Sequence, residues 1–390
     1  MPDTSDAVAA SYFTPHHADE LWALATNPHP TLGQARHLGE ALIQAQVLDA
    51  STLAESLKLQ QTEREQGHER PIGQILVEYG HVSTAQFLAT AGSDFNFAYY
   101  SLRHSVENNI GNPMAYETQI SRNSPTAFLF IVDQSGSMSD KMSSGKTKAE
   151  FVADALNRTL LNLVTRCSKS EGVRDYFEVG VIGYGGSSVS NGFSGVLGTN
   201  PINPISMIEK NPVRVEDRKR KMDDGAGGII ETNIKFPVWF EPKASGGTPM
   251  REALSKAAEE LVAWCDTHPN SYPPTVLHVT DGESTDGDPE EIAKHLGAIR
   301  TNDGEVLILN IHVSTLGTDP IRFPSSENRL PDSYANMLFR MSSQFPQHVL
   351  GFAKEKGYAV DAESRGFMFN ADAVEIVDFF DIGTRASQLR

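Results

Sequence analysis

Asp133, Ser135 and Ser137 stand at alternate positions directly after the apolar run Phe128-Leu129-Phe130-Ile131-Val132. One carboxylate and two hydroxyls at that spacing can turn three oxygens towards a common point. Two chemistries use such a loop: a hard divalent cation held by oxygen donors, or an aspartate that accepts a phosphoryl group. Two further segments offer oxygens where a strand should end or a helix begin, Gly246-Gly247-Thr248-Pro249 and Thr280-Asp281-Gly282.

Each piece has a plainer reading when taken alone. Thr248 before Pro249 suits a helix N-cap with proline at the first helical position, and Asp281-Gly282 suits a turn. Asp133 at a strand end can accept from loop amides. Glu283, Asp286 and Asp288 could extend a cation site, but Asp288-Pro289-Glu290-Glu291 reads more simply as a cap followed by acids that favour the helix dipole. Their spacing does not fit the Asp-x-Asp-x-Asp-Gly calcium loop.

The elements that must position these residues follow from periodicity. Ala127 to Asp133 reads as a central strand of a parallel sheet covered on both faces, and ligand sites in such sheets form outside the carboxyl ends of the strands. A helix over Thr147 to Cys167 places Val152, Leu156, Leu160 and Leu163 on one face, and a strand follows over Tyr176 to Tyr184. After Pro249 a second helix buries Met250, Leu254, Ala257, Leu261 and Cys265. Strand Thr275 to Thr280, helix Pro289 to Arg300 and strand Val306 to Ser314 continue the alternation. The expected fold class is α/β, a doubly wound, mainly parallel sheet. His278 and His312 fall inside strands and read as core residues, and Cys167 and Cys265 as buried reduced thiols.

Residues 185–247 interrupt the rhythm. This insertion gathers Arg214, Arg218, Lys219, Arg220 and Lys221 in an otherwise acidic chain and reads as a solvated charged loop. Its two ends lie beside the oxygen-bearing face, where partner specificity would be set. Residues 320–390 form a C-terminal extension, with helices near Tyr334 to Phe345 and Val349 to Glu355 and a short strand at Phe367 to Asn370.

Taken in order, Asp133/Ser135/Ser137, Thr248 and Asp281 resemble the metal-ion-dependent adhesion site of von Willebrand factor type A (vWA) domains. The resemblance spans roughly residues 124–320 and implies a Rossmann-like sheet over 124–390 that holds Mg²⁺, with Mn²⁺ or Ca²⁺ as substitutes. It further implies that Ser135, Ser137 and Thr248 ligate directly while Asp133 and Asp281 act largely through water. A position would then stay open for a Glu or Asp of a partner protein. Mg²⁺ takes about six oxygens at roughly 2.0 to 2.1 Å, so hydroxyls with few direct carboxylates leave it electron-poor and ready for an anion. Intracellular relatives work with AAA ATPases, or beside kinases and phosphatases in stress-response and phage-defence systems.

The N-terminal part is organised differently. Residues 1–31 read as a flexible arm. Across 32–95 an internal repeat appears at an offset of 34 residues, aligning Leu38-Gly39-x-x-Leu42 with Ile72-Gly73-x-x-Leu76 and Leu48 with Val82. Each unit reads as helix, turn, helix, with Asp49 and Ser83 as N-caps and Gln86 completing a capping box. This small helical domain resembles the N-terminal domain of type II secretion and type IV pilus assembly ATPases. Some relatives of that domain bind cyclic di-GMP, but His37 and Pro71 stand where the motif carries arginine, so nucleotide binding is not expected. Residues 96–123 read as a linker.

With 390 residues and 39% apolar content the chain can bury ordinary cores. Its formal charge of -17 argues against general affinity for nucleic acid or anionic lipid. The acidic opening precedes no apolar signal region, and no stretch is long and apolar enough to span a membrane, so a cytoplasmic location is expected. The expected function is that of an intracellular bacterial adaptor, not an enzyme, which captures a protein partner through Mg²⁺. A cyclic-dinucleotide-responsive switch and a metal-dependent phosphatase are the alternatives. Phosphatases of the haloacid-dehalogenase type pair their aspartate with a second one two residues on as general acid, where this chain has Ser135.

Overall fold

The computed structural model describes residues 43, 48–65, 75–76, 79–82, 116–142, 145–223, 229–313, 319–371 and 373–384. The chain divides into two compact units, 1–107 and 108–390. In the first, helix α1 runs Ala50–Glu65. Asp49 caps it, accepting from the Thr52 amide at 2.9 Å and the Thr52 hydroxyl at 2.7 Å. Leu48, Leu53, Ile75, Leu76 and Val82 are buried. The Ser83/Gln86 capping box, Leu38-Gly39 and most of the proposed repeat lie outside the described residues.

The second unit is built on an eight-stranded mixed sheet. Strand β1 is Thr126–Asp133, β2 Phe177–Gly185, β3 Ser188–Asn191 and β4 Ile202–Pro204. After a separate ribbon of β5 (Arg214–Asp223) and β6 (Ile229–Val238) come β7 (Thr275–Thr280), β8 (Leu307–His312), β9 (Ile321–Arg322) and β10 (Phe367–Phe369). The order across the sheet is β9-β10-β8-β7-β1-β2-β3, with β4 also on β2. The five strands from β10 to β2 are parallel, while β3, β4 and β9 are antiparallel additions. All eight residues of β1 are buried, as a solid apolar run predicts for a strand covered on both faces.

The covering helices are α2 (Lys148–Cys167), α4 (Met250–Thr267), α5 (Glu290–Ala298) and α8 (Ala373–Gly383), together with the short α3 (Ile205–Lys210), α6 (Ser333–Arg340) and α7 (Gln347–Glu355). Phe128, Phe130 and Val132 of β1 share one core with the apolar stripe of α2 and with Phe379 and Phe380 of α8. The alternate residues Leu129 and Ile131 are fully buried too, as are Met250, Ala253, Leu254 and Leu261 of α4. A capping box starts α2: the Glu150 amide donates to the Thr147 hydroxyl at 3.1 Å while the Thr147 amide donates to the Glu150 carboxylate at 2.8 Å. Part of the expected linker is also fastened down, since the amides of Glu117 and Thr118 donate to Asp303 at 3.0 and 3.1 Å.

Residues 185–247 carry exposed charges, as expected, but are not a loop. They add β3 and β4 to the sheet edge, then α3, then a ribbon of two ten-residue strands. The alternation of Ile234, Phe236 and Val238 is a strand period. Among the described side chains, several basic residues have acidic partners close by. Lys235 pairs with Asp217 at 2.7 Å and Lys219 with Glu231 at 3.3 Å. Arg218 pairs with Asp154 of α2 and lies 3.7 Å over the Phe236 ring.

Asn157 joins this insertion to α2. Its side chain accepts from the amides of Trp239 and Phe240 at 2.8 and 3.0 Å and donates to the carbonyl oxygens of Phe240 and Ala153, each at 2.8 Å. Asn157→Leu leaves two buried amides without an acceptor, and we expect it to cost roughly 2–5 kcal/mol in urea unfolding. Glu260 of α4 is the opposite case: its side chain is 8% exposed, one oxygen lies 3.6 Å from Lys256, and the other is buried without a hydrogen-bond partner. Burial pushes this carboxyl from an ordinary 4.5 up to about 7. The folded state therefore holds the proton more tightly than the unfolded chain, and stability falls as pH rises from about 4.5 to about 7. Glu260→Gln should remove that loss, being more stable than the unchanged chain at pH 8 by roughly 1–3 kcal/mol in denaturant titrations and indistinguishable from it below pH 4.

Candidate functional site

The parallel strands put β1 in the middle, with β2 on one side and β7 on the other. The chain reverses its direction of winding between β1 and β7, and a crevice opens outside the carboxyl ends of the strands at such a point. Asp133 ends β1 and Thr280 ends β7, so these two residues frame it.

Asp133 is 1% exposed. Its carboxylate accepts from the Ser135 amide at 2.8 Å and from the Thr280 hydroxyl at 2.7 Å. Both donors are neutral, and burial raises the carboxyl above its ordinary value. The loop then turns into a 3-10 turn over Gly136–Ser139, which brings the Ser135 and Ser137 hydroxyls within 3.1 Å of each other. Ser137 donates to Asp281 at 2.7 Å. Four of the five residues singled out in the sequence thus form one continuous cluster.

Thr248 is brought beside this cluster by its neighbours, with its own backbone bonds going elsewhere. The Gly136 amide donates to Gly246 O at 2.9 Å and the Ser245 amide to Gln134 O at 2.7 Å, so this segment lies against the Asp133 loop. Thr248 itself is 6% exposed, its amide donating to the Thr285 hydroxyl and its carbonyl accepting from the Thr285 amide, both at 2.9 Å. So close an approach demands glycine. Gly246 has φ +65, and a Cβ there would stand 2.4 Å from Gly186 Cα, while one on Gly185 would stand 2.3 Å from Gln134 O.

The N-cap reading of Thr248 does not hold, because that work is done from elsewhere. Asp286 accepts from the amides of Arg251 and Glu252 at 3.0 and 2.8 Å, satisfying the first turn of α4. The same bonds account for Asp286, which the sequence left open as a further cation ligand. Asp288 accepts from the Glu290 amide at 2.9 Å, in keeping with its expected place at the start of α5, and Glu283 accepts from the Tyr334 hydroxyl.

Lys148, the first residue of α2, was missed. Its ammonium donates to Asp281 at 2.7 Å, to Asp140 at 3.2 Å and to Ser137 O at 3.5 Å, and its side chain is 6% exposed. A signal was present in the sequence: Lys148 continues the buried stripe of Val152, Leu156 and Leu160 at four-residue steps, where a charge needs a buried counter-charge.

Behind the cluster a polar line crosses the sheet. Tyr184 of β2 meets His278 Nε2 at 2.7 Å, His278 Nδ1 meets Asn310 Oδ1 at 2.8 Å, and the Asn310 amide donates to the Ser342 hydroxyl at 2.9 Å. An amide oxygen only accepts, so Nδ1 carries the hydrogen and Nε2 accepts from tyrosine. Burial lowers the His278 pKa to about 4, leaving it a neutral core residue. His312 is also buried, stacked on Phe369 with ring centroids 4.8 Å apart. Cys167 and Cys265 are free and buried.

Among the described residues no group of three or more His, Cys, Asp and Glu side chains is placed to hold a metal. The candidate site has only two acids, and hydroxyls make up the rest of its donors. That set suits a hard, oxygen-seeking ion such as Mg²⁺ or Ca²⁺ and not a soft one. A carboxylate buried among neutral donors is also half of an ion pair, which a cation beside Ser135 and Ser137 would complete.

No family model matches the chain, and no curated protein matches it. Among solved structures it is similar to the pilus adhesin SpaC from Lactobacillus rhamnosus GG, at 12% identity and a TM-score of 0.35 over 66% of this chain and 30% of that one. It is also similar to the PilB minor pilin from Streptococcus sanguinis, at 13% identity and a TM-score of 0.22 over 50% of this chain and 58% of that one. The chain thus spans under a third of the first protein and somewhat over half of the second. Likeness at this level carries no argument about fold or function.

If Asp286 holds the start of α4, Asp286→Ala should destabilise the protein by about 1 kcal/mol, in the range of a lost helix cap. Thermal unfolding of the variant measures this, and an unchanged midpoint would assign the cap elsewhere.

Proposed function

We propose that this chain is a cytoplasmic adaptor of vWA type, which recognises a partner protein through a divalent ion, Mg²⁺ by preference, held at Asp133, Ser135, Ser137, Thr248 and Asp281. The observation that carries the proposal is the buried Asp133 carboxylate, set at the reversal point of the sheet beside the Ser135, Ser137 and Asp281 oxygens. In vWA domains an ion so placed keeps a position for a carboxylate from another molecule. The order β2-β1-β7-β8-β10 with an antiparallel β3 at the edge supports the vWA reading. Among the described residues no helix is long and apolar enough to cross a membrane.

On this reading the residues have distinct work. Ser135, Ser137 and Thr248 would hold the ion with neutral oxygens, leaving it the charge with which to attract an anion. Asp133 and Asp281 would balance part of that charge from slightly farther away. The site would bind and orient, with no bond made or broken. An AAA ATPase, or a kinase or phosphatase, is the kind of partner that intracellular vWA proteins serve, and a partner surface offering a Glu or Asp is what this site would take.

Calorimetry of the purified chain should detect one Mg²⁺ site, weakened at least about tenfold when Ser135→Ala and Ser137→Ala are combined. Pull-downs made with Mg²⁺ and repeated with EDTA should lose the partner on chelation and in the double variant alike. Partner capture indifferent to both changes would end the proposal.

A further inference from the structure

The structure assigns to Lys148 the part of a built-in counter-ion that fixes Asp281 and sets how strongly, and with what residual charge, the site holds its metal. This inference rests on the metal reading above and goes beyond it by naming a positioning residue outside the ligand set. Three facts carry it. The Lys148 ammonium is buried, with a side chain 6% exposed, although a lysine has a stem long enough to reach solvent. It lies 2.7 Å from an Asp281 carboxylate that is wholly buried. The other oxygen of that carboxylate accepts from Ser137 at 2.7 Å, so one acid links the ammonium to the serine loop. Asp140, exposed and 3.2 Å from the ammonium, steadies it from the solvent side.

The consequence is electrostatic. Two carboxylates, Asp133 and Asp281, would by themselves neutralise a divalent ion. With the ammonium held among them, the buried groups of the loaded centre keep one positive charge over, in a setting where interactions are screened far less than in water, while Asp140, which balances it in the full count, is exposed and screened by solvent. That surplus is what an incoming carboxylate would meet. It also lowers the affinity for the metal, because Asp281 is already engaged through one of its oxygens. Lys148 thereby trades metal affinity for attraction towards an acidic partner.

Removing the charge while keeping the length of the side chain separates this role from packing. Mn²⁺, a spectroscopic substitute for Mg²⁺, can be titrated into the full-length chain and its free fraction read by electron paramagnetic resonance. Lys148→Met should bind Mn²⁺ about tenfold more tightly than the unchanged chain, whereas Lys148→Arg, which keeps the cation, should stay within about threefold of it. Should Lys148→Met fail to fold by thermal unfolding, Lys148→Gln carries the same expectation. Mn²⁺ bound by the unchanged chain but equally or more weakly by the neutral variants would overturn the counter-ion role alone. No Mn²⁺ bound by the unchanged chain would overturn the metal reading on which it rests.

Discussion

A carboxylate at the carboxyl end of a buried central strand has to be answered by donors that the same fold delivers. Asp133 is answered from two directions, by the Ser135 amide of its own loop and by the Thr280 hydroxyl of the neighbouring strand. The second bond exists only because β1 and β7 run parallel in register, Val132 beside Val279, so that both strands end at one level. Everything nearby inherits that alignment. Ser137 can reach Asp281 because Thr280 has already brought the end of β7 to the Asp133 loop.

Charge is then distributed outward from this point in matched steps. Lys148 answers Asp281, and Asp140 answers Lys148. Asp286 turns to the free amides at the start of α4. An acidic chain thus spends its carboxylates near the site on specific donors and does not leave them to repel one another. The arrangement also fixes the start of α2, since a buried ammonium with two partners cannot leave without exposing unpaired charge, a loss far larger than that of a surface ion pair.

Much of the second unit was legible in the sequence, because solid apolar runs and four-residue stripes report burial directly. β1, α2, β7 and β8 lie within a few residues of where the patterns put them. The cluster of Asp133, Ser135, Ser137 and Asp281 was legible for a different reason: residues at strand ends in a parallel sheet converge on one edge whatever the loops do. Three things were not. Lys148 is not legible because a lysine at the start of a helix is ordinarily solvated, and only its partner, 133 residues away, makes its burial tolerable. The role of Asp286, open in the sequence as a further cation ligand, is not legible because its bonds run to a helix more than 30 residues earlier. The ribbon in 185–247 is hidden because its run of charges reads as a loop, whereas Lys219 and Lys235 pair across the two strands and Arg218 pairs with Asp154 of α2.

The glycine crossing at Gly186 and Gly246 has a bearing on how such a protein can change over time. The chain passes the end of β2 at Gly186 and, after the insertion, comes back against that same residue, the Gly247 amide donating to Gly186 O at 3.1 Å. Length gained or lost in the far ribbon is taken up beyond this pinch and does not propagate to the serine loop on the near side. Lineages descended from such a chain would be free to remodel the ribbon while the pinch itself, where two backbones touch with no room for a side chain, stays closed to substitution.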